Sequence, residues 1–379
     1  MAKAVHIGVN GKARKVKKMY VGVGSKARKV KKAYIGVGGV ARPCFGGGEL
    51  VYYGTATPLS EARAHLAAAS VGNYALFGGG ESGGYNCYST VDTYNTTLIH
   101  GTTASLSSDR EQLAATSIEN YALFGGGGPS YQTTEWRLDA YSSSLVHSTD
   151  IFYGYNKFSL AATSINNYAL FAGGYNYYYN EDTQSWDTQG VNTVFSYSST
   201  LSRSTRTNLS TARCRLAATT IGEYALFAGG ESSTMYNRNS YNLVDAYNTS
   251  LSRSTVTALS VARGMLAATT LGDHALFGGG DNKSVVDVYD KQLVRSSPLN
   301  LSAKMYSLSA TTLINYAIFS GDVFDIFDIN LTHSTFPSSI ARRGYLAATT
   351  IGNFALFGGG NLNSVYSDVV NQVDVFSIA

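Results

Sequence analysis

The chain has 379 residues, 44% of them hydrophobic and only 14% charged, with 40 Gly and 28 Tyr. That aliphatic and aromatic content excludes a disordered chain, and low charge with abundant Gly, Tyr, Ser and Thr fits an all-β protein of short strands and tight turns. The net charge of +4 is unevenly divided: residues 1–48 carry twelve Lys or Arg and no acid, leaving 17 basic against 25 acidic residues in 49–379, so the basic balance is no argument that the larger part binds nucleic acid.

Cys44, Cys87 and Cys214 are an odd number without metal-site spacing, so a hydrophobic core rather than a disulfide framework must hold the fold. The opening MAKAVHIGVNGKARK lacks the apolar segment of a secretory signal, and no run approaches the length of a membrane span. Synthesis in the cytoplasm is expected, with any exit by lysis, particle assembly or a non-standard route.

Residues 5–45 repeat in steps of 14: HIGVNGKARKVKKM (6–19), YVGVGSKARKVKKA (20–33) and YIGVGGVARPCF (34–45). Each reads as a short strand, a glycine-containing turn and a second, basic strand. Lys12, Arg14 and Lys15, then Lys26, Arg28 and Lys29, stand in those basic strands as candidate assembly contacts. Hairpins with so little apolar mass are marginal alone and are expected to dock on a partner or another subunit. A polyanion contact through the same Lys and Arg, and a solvated basic face, are the other two readings.

After residue 58 a second repeat takes over. LAAASVGNYALFGGG (66–80) returns with its Leu at 113, 160, 216, 266, 308 and 346, giving seven copies spaced by 47, 47, 56, 50, 42 and 38 residues. Such spacing belongs to the blades of a propeller, each a four-stranded sheet needing neighbours on both faces. Each copy reads as strand, two-residue turn, strand. The Gly-first turns at Gly72, Gly222, Gly272 and Gly352 suit type II′, and Asn166-Asn167 suits type I′. A third strand follows as VDTY (91–94), LDAY (138–141), VFSY (194–197), VDAY (244–247), VDVY (286–289), FDIF (324–327) and VDVF (373–376). The fourth is marked by LIHGT (98–102), LVHST (145–149), LSRST (201–205 and 251–255), LVRSS (293–297) and LTHST (331–335). Six fourth strands follow seven third strands, and LVYYGTATPLS (50–60) has the shape of the missing one. The segment near 50–57 is therefore predicted to close blade seven, which removes a free sheet edge. The division is a basic module over 1–48 and a seven-bladed β-propeller over 49–379.

These repeats resemble the kelch family over roughly residues 50–379. Glycine pairs stand at Gly78-Gly79, Gly125-Gly126, Gly173-Gly174, Gly229-Gly230, Gly278-Gly279 and Gly358-Gly359, broken at Ser320-Gly321. Third-strand aromatics stand at Tyr94, Tyr141, Tyr197, Tyr247, Tyr289, Phe327 and Phe376, while the family's fourth-strand Trp is replaced at positions such as Leu98. The resemblance implies a kelch-like propeller and carries no particular function. The KARKVKKxYVGVGG pattern resembles short N-terminal repeats of structural and tail-associated proteins of phages and prophages from Gram-positive bacteria, which implies a virion or tail component.

Chain topology puts the loops before the first strand and after the second on one face. There stand Tyr85, Tyr88, Tyr131, Trp136, Tyr177, Tyr178, Trp186, Tyr236 and Tyr241, candidate contacts for a sugar or protein surface. A basic residue precedes the anchor Leu by three positions in six copies: Arg63, Arg110, Lys157, Arg213, Arg263 and Arg343, with Met305 the exception. These six either ring the channel mouth and bind an anionic ligand or pair with the third-strand aspartates Asp92, Asp139, Asp245, Asp287, Asp325 and Asp374. His100, His147 and His333 alternate with Arg203, Arg253 and Arg295 at one fourth-strand position, on different blades. A kelch-like fold also houses galactose oxidase, but no Tyr/His set here matches its copper site, and no carboxylate pair reads as a glycosidase dyad. The expectation is a non-catalytic recognition protein without a cofactor, a component of a phage tail. Its propeller would contact a host-surface glycan or protein, and residues 1–45 would join it to other virion or tail proteins. An intracellular protein-interaction propeller is the alternative, and a carbohydrate-active enzyme comes third.

Overall fold

In the computed structural model, the described residues are the strand backbones 6–9, 12–15, 20–23, 26–29, 33–37 and 40–45, and then 48–83, 86–129, 135–153, 157–182, 184–232, 238–337, 343–362 and 367–378. The seven LAATT segments form the innermost strands Ala67–Val71, Ala114–Ile118, Ala161–Ile165, Ala217–Ile221, Ala267–Leu271, Ala310–Leu313 and Ala347–Ile351. Each packs on the next, and Ala347–Ile351 packs back on Ala67–Val71, closing the circle. Every blade is a four-stranded antiparallel sheet, and the whole is a seven-bladed β-propeller. No helix among the described residues is long and apolar enough to cross a membrane.

The small, hydroxylated inner strands follow from their crowding. Thr220 Oγ1 donates to Ser164 O of the preceding blade at 2.5 Å, Thr270 Oγ1 to Thr220 O at 2.6 Å, and Ser117 Oγ to Ser70 O at 2.6 Å. Larger side chains there would block this approach. The second strand, as Tyr74–Gly78, buries its Ala-Leu-Phe run completely. Its last residue must be small because the next blade's Phe presses on it: a Cβ on Gly125 would stand 2.7 Å from the Phe171 ring. Each fully buried Phe contributes roughly 1.5–3 kcal/mol of transfer free energy, so these rings are principal glue between blades.

The seventh blade closes as the sequence predicts. Leu50–Ala56 pairs antiparallel with Val373–Ile378, from Leu50 opposite Ile378 to Ala56 opposite Val373, with a bulge that Gly54 accommodates at φ +119°. Two details differ from expectation. The Asn166-Asn167 turn has positive φ at Asn166 alone, whereas type I′ needs it at both residues, so it follows the Gly-first turns instead. In blade five the segment 293–297 contributes only a bridge between Tyr289 and Arg295. The fourth strand proper is Leu299–Met305, because Pro298 has no N–H for the ladder.

Ahead of the propeller, the three 14-residue repeats form three hairpins: His6–Val9 with Lys12–Lys15, Tyr20–Val23 with Lys26–Lys29, and Ala33–Val37 with Val40–Phe45. The first two share one register, Ile7 opposite Arg14 and Val21 opposite Arg28. Lys12, Arg14, Lys15, Lys26, Arg28 and Lys29 thus lie on paired strands, while their side chains fall outside what the structure describes.

Candidate binding face at the axial mouth

The residue just before each anchor Leu has a conformation rare for a side-chain-bearing residue. His65, Gln112, Ser159, Arg215, Met265, Ser307 and Tyr345 all have φ between +51° and +56°. Gln112 N donates to His65 O at 2.9 Å, Ser159 N to Gln112 O at 2.9 Å, and Arg215 N to Ser159 O at 2.8 Å. Met265 N continues to Arg215 O, Ser307 N to Met265 O, Tyr345 N to Ser307 O, and His65 N returns to Tyr345 O at 2.9 Å. Seven backbone hydrogen bonds thus form a closed circle, one per blade junction. The left-handed conformation costs on the order of 1 kcal/mol or more at each non-glycine position, and the circle holds it in place.

The seven side chains of this circle line a cavity of about 530 Å³, together with the anchor leucines, Tyr175, Tyr177 and Arg238. Their environments differ sharply. Gln112 Oε1 accepts from Ser159 Oγ at 2.6 Å and Tyr175 Oη at 3.0 Å. Arg215 pairs with buried Glu231, which Arg238 approaches at 3.8 Å. On the far side His65 and Tyr345 lie with ring centroids 4.2 Å apart, and Ser307 Oγ donates to Met265 Sδ at 3.4 Å. The lining is mixed in charge and rich in fixed donors and acceptors, the chemistry of a site that orients a polar ligand. Burial and the carboxylates of Glu111, Glu81 and Asp109 push the Cys87 thiol up to about 12.

The conspicuous arginines sit elsewhere. Arg63, Arg110, Arg213, Arg263 and Arg343 are at most 4% exposed in their side chains, each in an ion pair with its own blade's Asp92, Asp139, Asp245, Asp287 or Asp374. As a ligand-facing ring they are therefore corrected: none lines the cavity. The fourth-strand residues complete the same networks, His100 on Asp92 at 2.6 Å, His147 on Asp139 at 2.8 Å and Arg253 on Asp245 at 2.8 Å. Blade three has Phe195 where the others have Asp. There Lys157 lies over the Phe195 ring at 4.2 Å, and Arg203 turns to Asp150 at 3.0 Å.

The aromatic loop residues divide. Trp136 is a correction: it is fully buried, donates to Tyr197 Oη at 2.8 Å and packs on Phe171 and Phe195, so it belongs to the core. Tyr88 and Tyr241 are half-buried, and their backbones carry loop hydrogen bonds to Gly80 and Gly230. Tyr177, Tyr178 and Trp186 lie on a two-stranded insertion of blade three, Tyr175–Asn180 with Ser185–Gly190. Tyr177 reaches the cavity, while Tyr178, Tyr179 and Trp186 are 38%, 51% and 43% exposed. Tyr85, Tyr131 and Tyr236 lie outside the described residues.

The sequence reading missed the circle itself, although its signal was present. In a block otherwise nearly constant, the column before the Leu reads His, Gln, Ser, Arg, Met, Ser, Tyr. No protein-family model matches the chain, and no curated protein matches it in sequence. The class is set by the fold alone: a seven-bladed β-propeller with a polar axial mouth, an architecture consistent with a protein-interaction role.

Proposed function

We propose that this propeller is a non-catalytic recognition protein that binds a host-surface glycan or protein at the mouth and its aromatic insertion. Residues 1–45 would join it to a particle, as a phage-tail component. The observation that carries the reading is the circle: one backbone conformation in all seven blades, with six different side-chain types. A feature shared by every blade serves the fold, whereas chemical variety on an invariant frame serves a ligand. The exposed Tyr178, Tyr179 and Trp186 supply contact area beside it.

Topology supports the attachment half. Ala56, Val373 and Gly358 align at the mouth side of blade seven, while Leu50, Ile378 and the turn before Phe354 are at the opposite side. The chain thus enters the propeller from the face away from the mouth, which leaves the mouth directed outward from anything held by residues 1–45.

The test is binding of the full chain to a glycan array and to intact cells, with Arg215→Ala and Tyr345→Ala variants, alongside mass spectrometry of purified particles. Loss of binding by at least about tenfold in the variants, with the protein present on particles, is the expected outcome. Unchanged binding would overturn the mouth as the site. Retention of the mouth's role with absence from particles would favour an intracellular interaction propeller.

A further inference from the structure

Glu81 and Glu231 occupy the same place in blades one and four, each just after the third glycine-loop residue and bridged to the residue before the circle: Ala64 with Glu81, Cys214 with Glu231. Both carboxylates are buried, 1% and 3% exposed in their side chains. In blade four the circle residue is Arg215, whose guanidinium pairs with Glu231. In blade one the circle residue is His65, and blade two adds a second carboxylate, Glu111. His65 Nδ1 stands 3.9 Å from Glu81 Oε1 and 3.5 Å from Glu111 Oε2, and one donor atom from each residue lies within 4.8 Å of the others. His65 and Glu111 side chains are only 8% and 14% exposed, and Glu111 Oε2 accepts no hydrogen bond. Where blade four has two carboxylate-facing arginines, the described residues at the junction of blades one and two include two carboxylates and an imidazole.

We propose that His65, Glu81 and Glu111 bind a divalent transition-metal ion that bridges blades one and two beside the axial mouth. In blade four Arg215 and Arg238 bring positive charge to Glu231, and a metal ion would bring positive charge to the corresponding place beside Glu81 and Glu111. One imidazole nitrogen with two carboxylate oxygens is a donor set suited to Zn²⁺ or Mn²⁺ and less to Ca²⁺, which prefers oxygen alone. The backbones of the three residues are held before any ion arrives: His65 by the circle, Glu81 by its bridge to Ala64, and Glu111 by its bridge to Gly128. The proposal is independent of what the mouth recognises.

The experiment is calorimetric titration of EDTA-treated full-length protein with Zn²⁺, beside Glu111→Gln and His65→Arg. The second variant installs blade four's own arrangement, so it is expected to fold. Each variant should bind one equivalent fewer than the parent, or bind that equivalent at least about tenfold more weakly. Zn²⁺ at about 100 times its Kd should raise the parent's Tm by roughly 5 °C and leave that of His65→Arg unmoved. No stoichiometric binding by the parent would overturn the proposal. Equal stoichiometry and affinity in parent and both variants would also overturn it, placing the ion elsewhere.

Discussion

Asp92 in blade one receives Arg63, His100 and the Ser60 hydroxyl at once. Burial alone would raise its pKa, but the Arg63 charge and the hydrogen bonds from Ser60, His100 and Arg63 hold the carboxyl below the usual carboxylate range. A carboxyl that titrates lower folded than unfolded stabilises the protein fully above about pH 4 and loses that contribution as pH falls further. Arg63→Met leaves a buried carboxylate short of its main partner, and a cost of about 3–5 kcal/mol at pH 7 is expected. In urea titrations the gap between parent and variant should narrow at pH 3. Lys157 behaves in the opposite sense. Burial pushes its ammonium down to about 7. An unfolded Lys titrates near 10.4, so from about pH 7 to 10 the unfolded chain holds the extra proton and the parent's stability rises with pH. Lys157→Met should therefore be stabilising at pH 7, with a gain that shrinks toward pH 10. A gain independent of pH would show that packing, not charge, sets the effect.

At the level of the strand and blade, much is legible in the sequence alone. The LAATT and YALF runs, the two-residue turns and the strand count gave seven sheets and the closing partner of blade seven, because period-two patterning and turn residues are local signals. Closure has a direct consequence. Removing residues 1–56 would bare the ladder edge of Val373–Ile378, and size-exclusion chromatography with light scattering should then show association of a chain that is otherwise less prone to it. What was illegible depended on neighbours. Trp136 reads as a loop aromatic in sequence, yet the strand Glu135–Ser142 begins early and carries the ring into the interface with blade three. The fourth strand of blade five shifted because a proline interrupts the expected ladder. The arginines left two readings open, since an Arg that pairs within its blade and one that faces a channel have the same sequence signature.

For the whole molecule the decisive feature is the hydrogen-bonded circle, which no single repeat contains. Each bond joins two blades, so it exists only when all seven are assembled, and seven unusual backbone conformations are visible only then. The side-chain variety on that circle could be read as a column of the repeat. Its meaning could not, because the neighbouring basic column is more uniform and draws the eye. Assembly turns the uniform column inward to the aspartates and the variable one toward the axis.

The strand Leu50–Ala56 also decides how the molecule would carry a mechanical load. Tension between a tether ahead of residue 50 and a ligand at the mouth would run along this strand, whose neighbour in the ladder is the antiparallel Val373–Ile378. Its hydrogen bonds lie across the pull, so all paired positions from Leu50 to Ala56 resist together in shear rather than opening one at a time. The outermost strand of blade seven is thus the one through which force would enter the propeller.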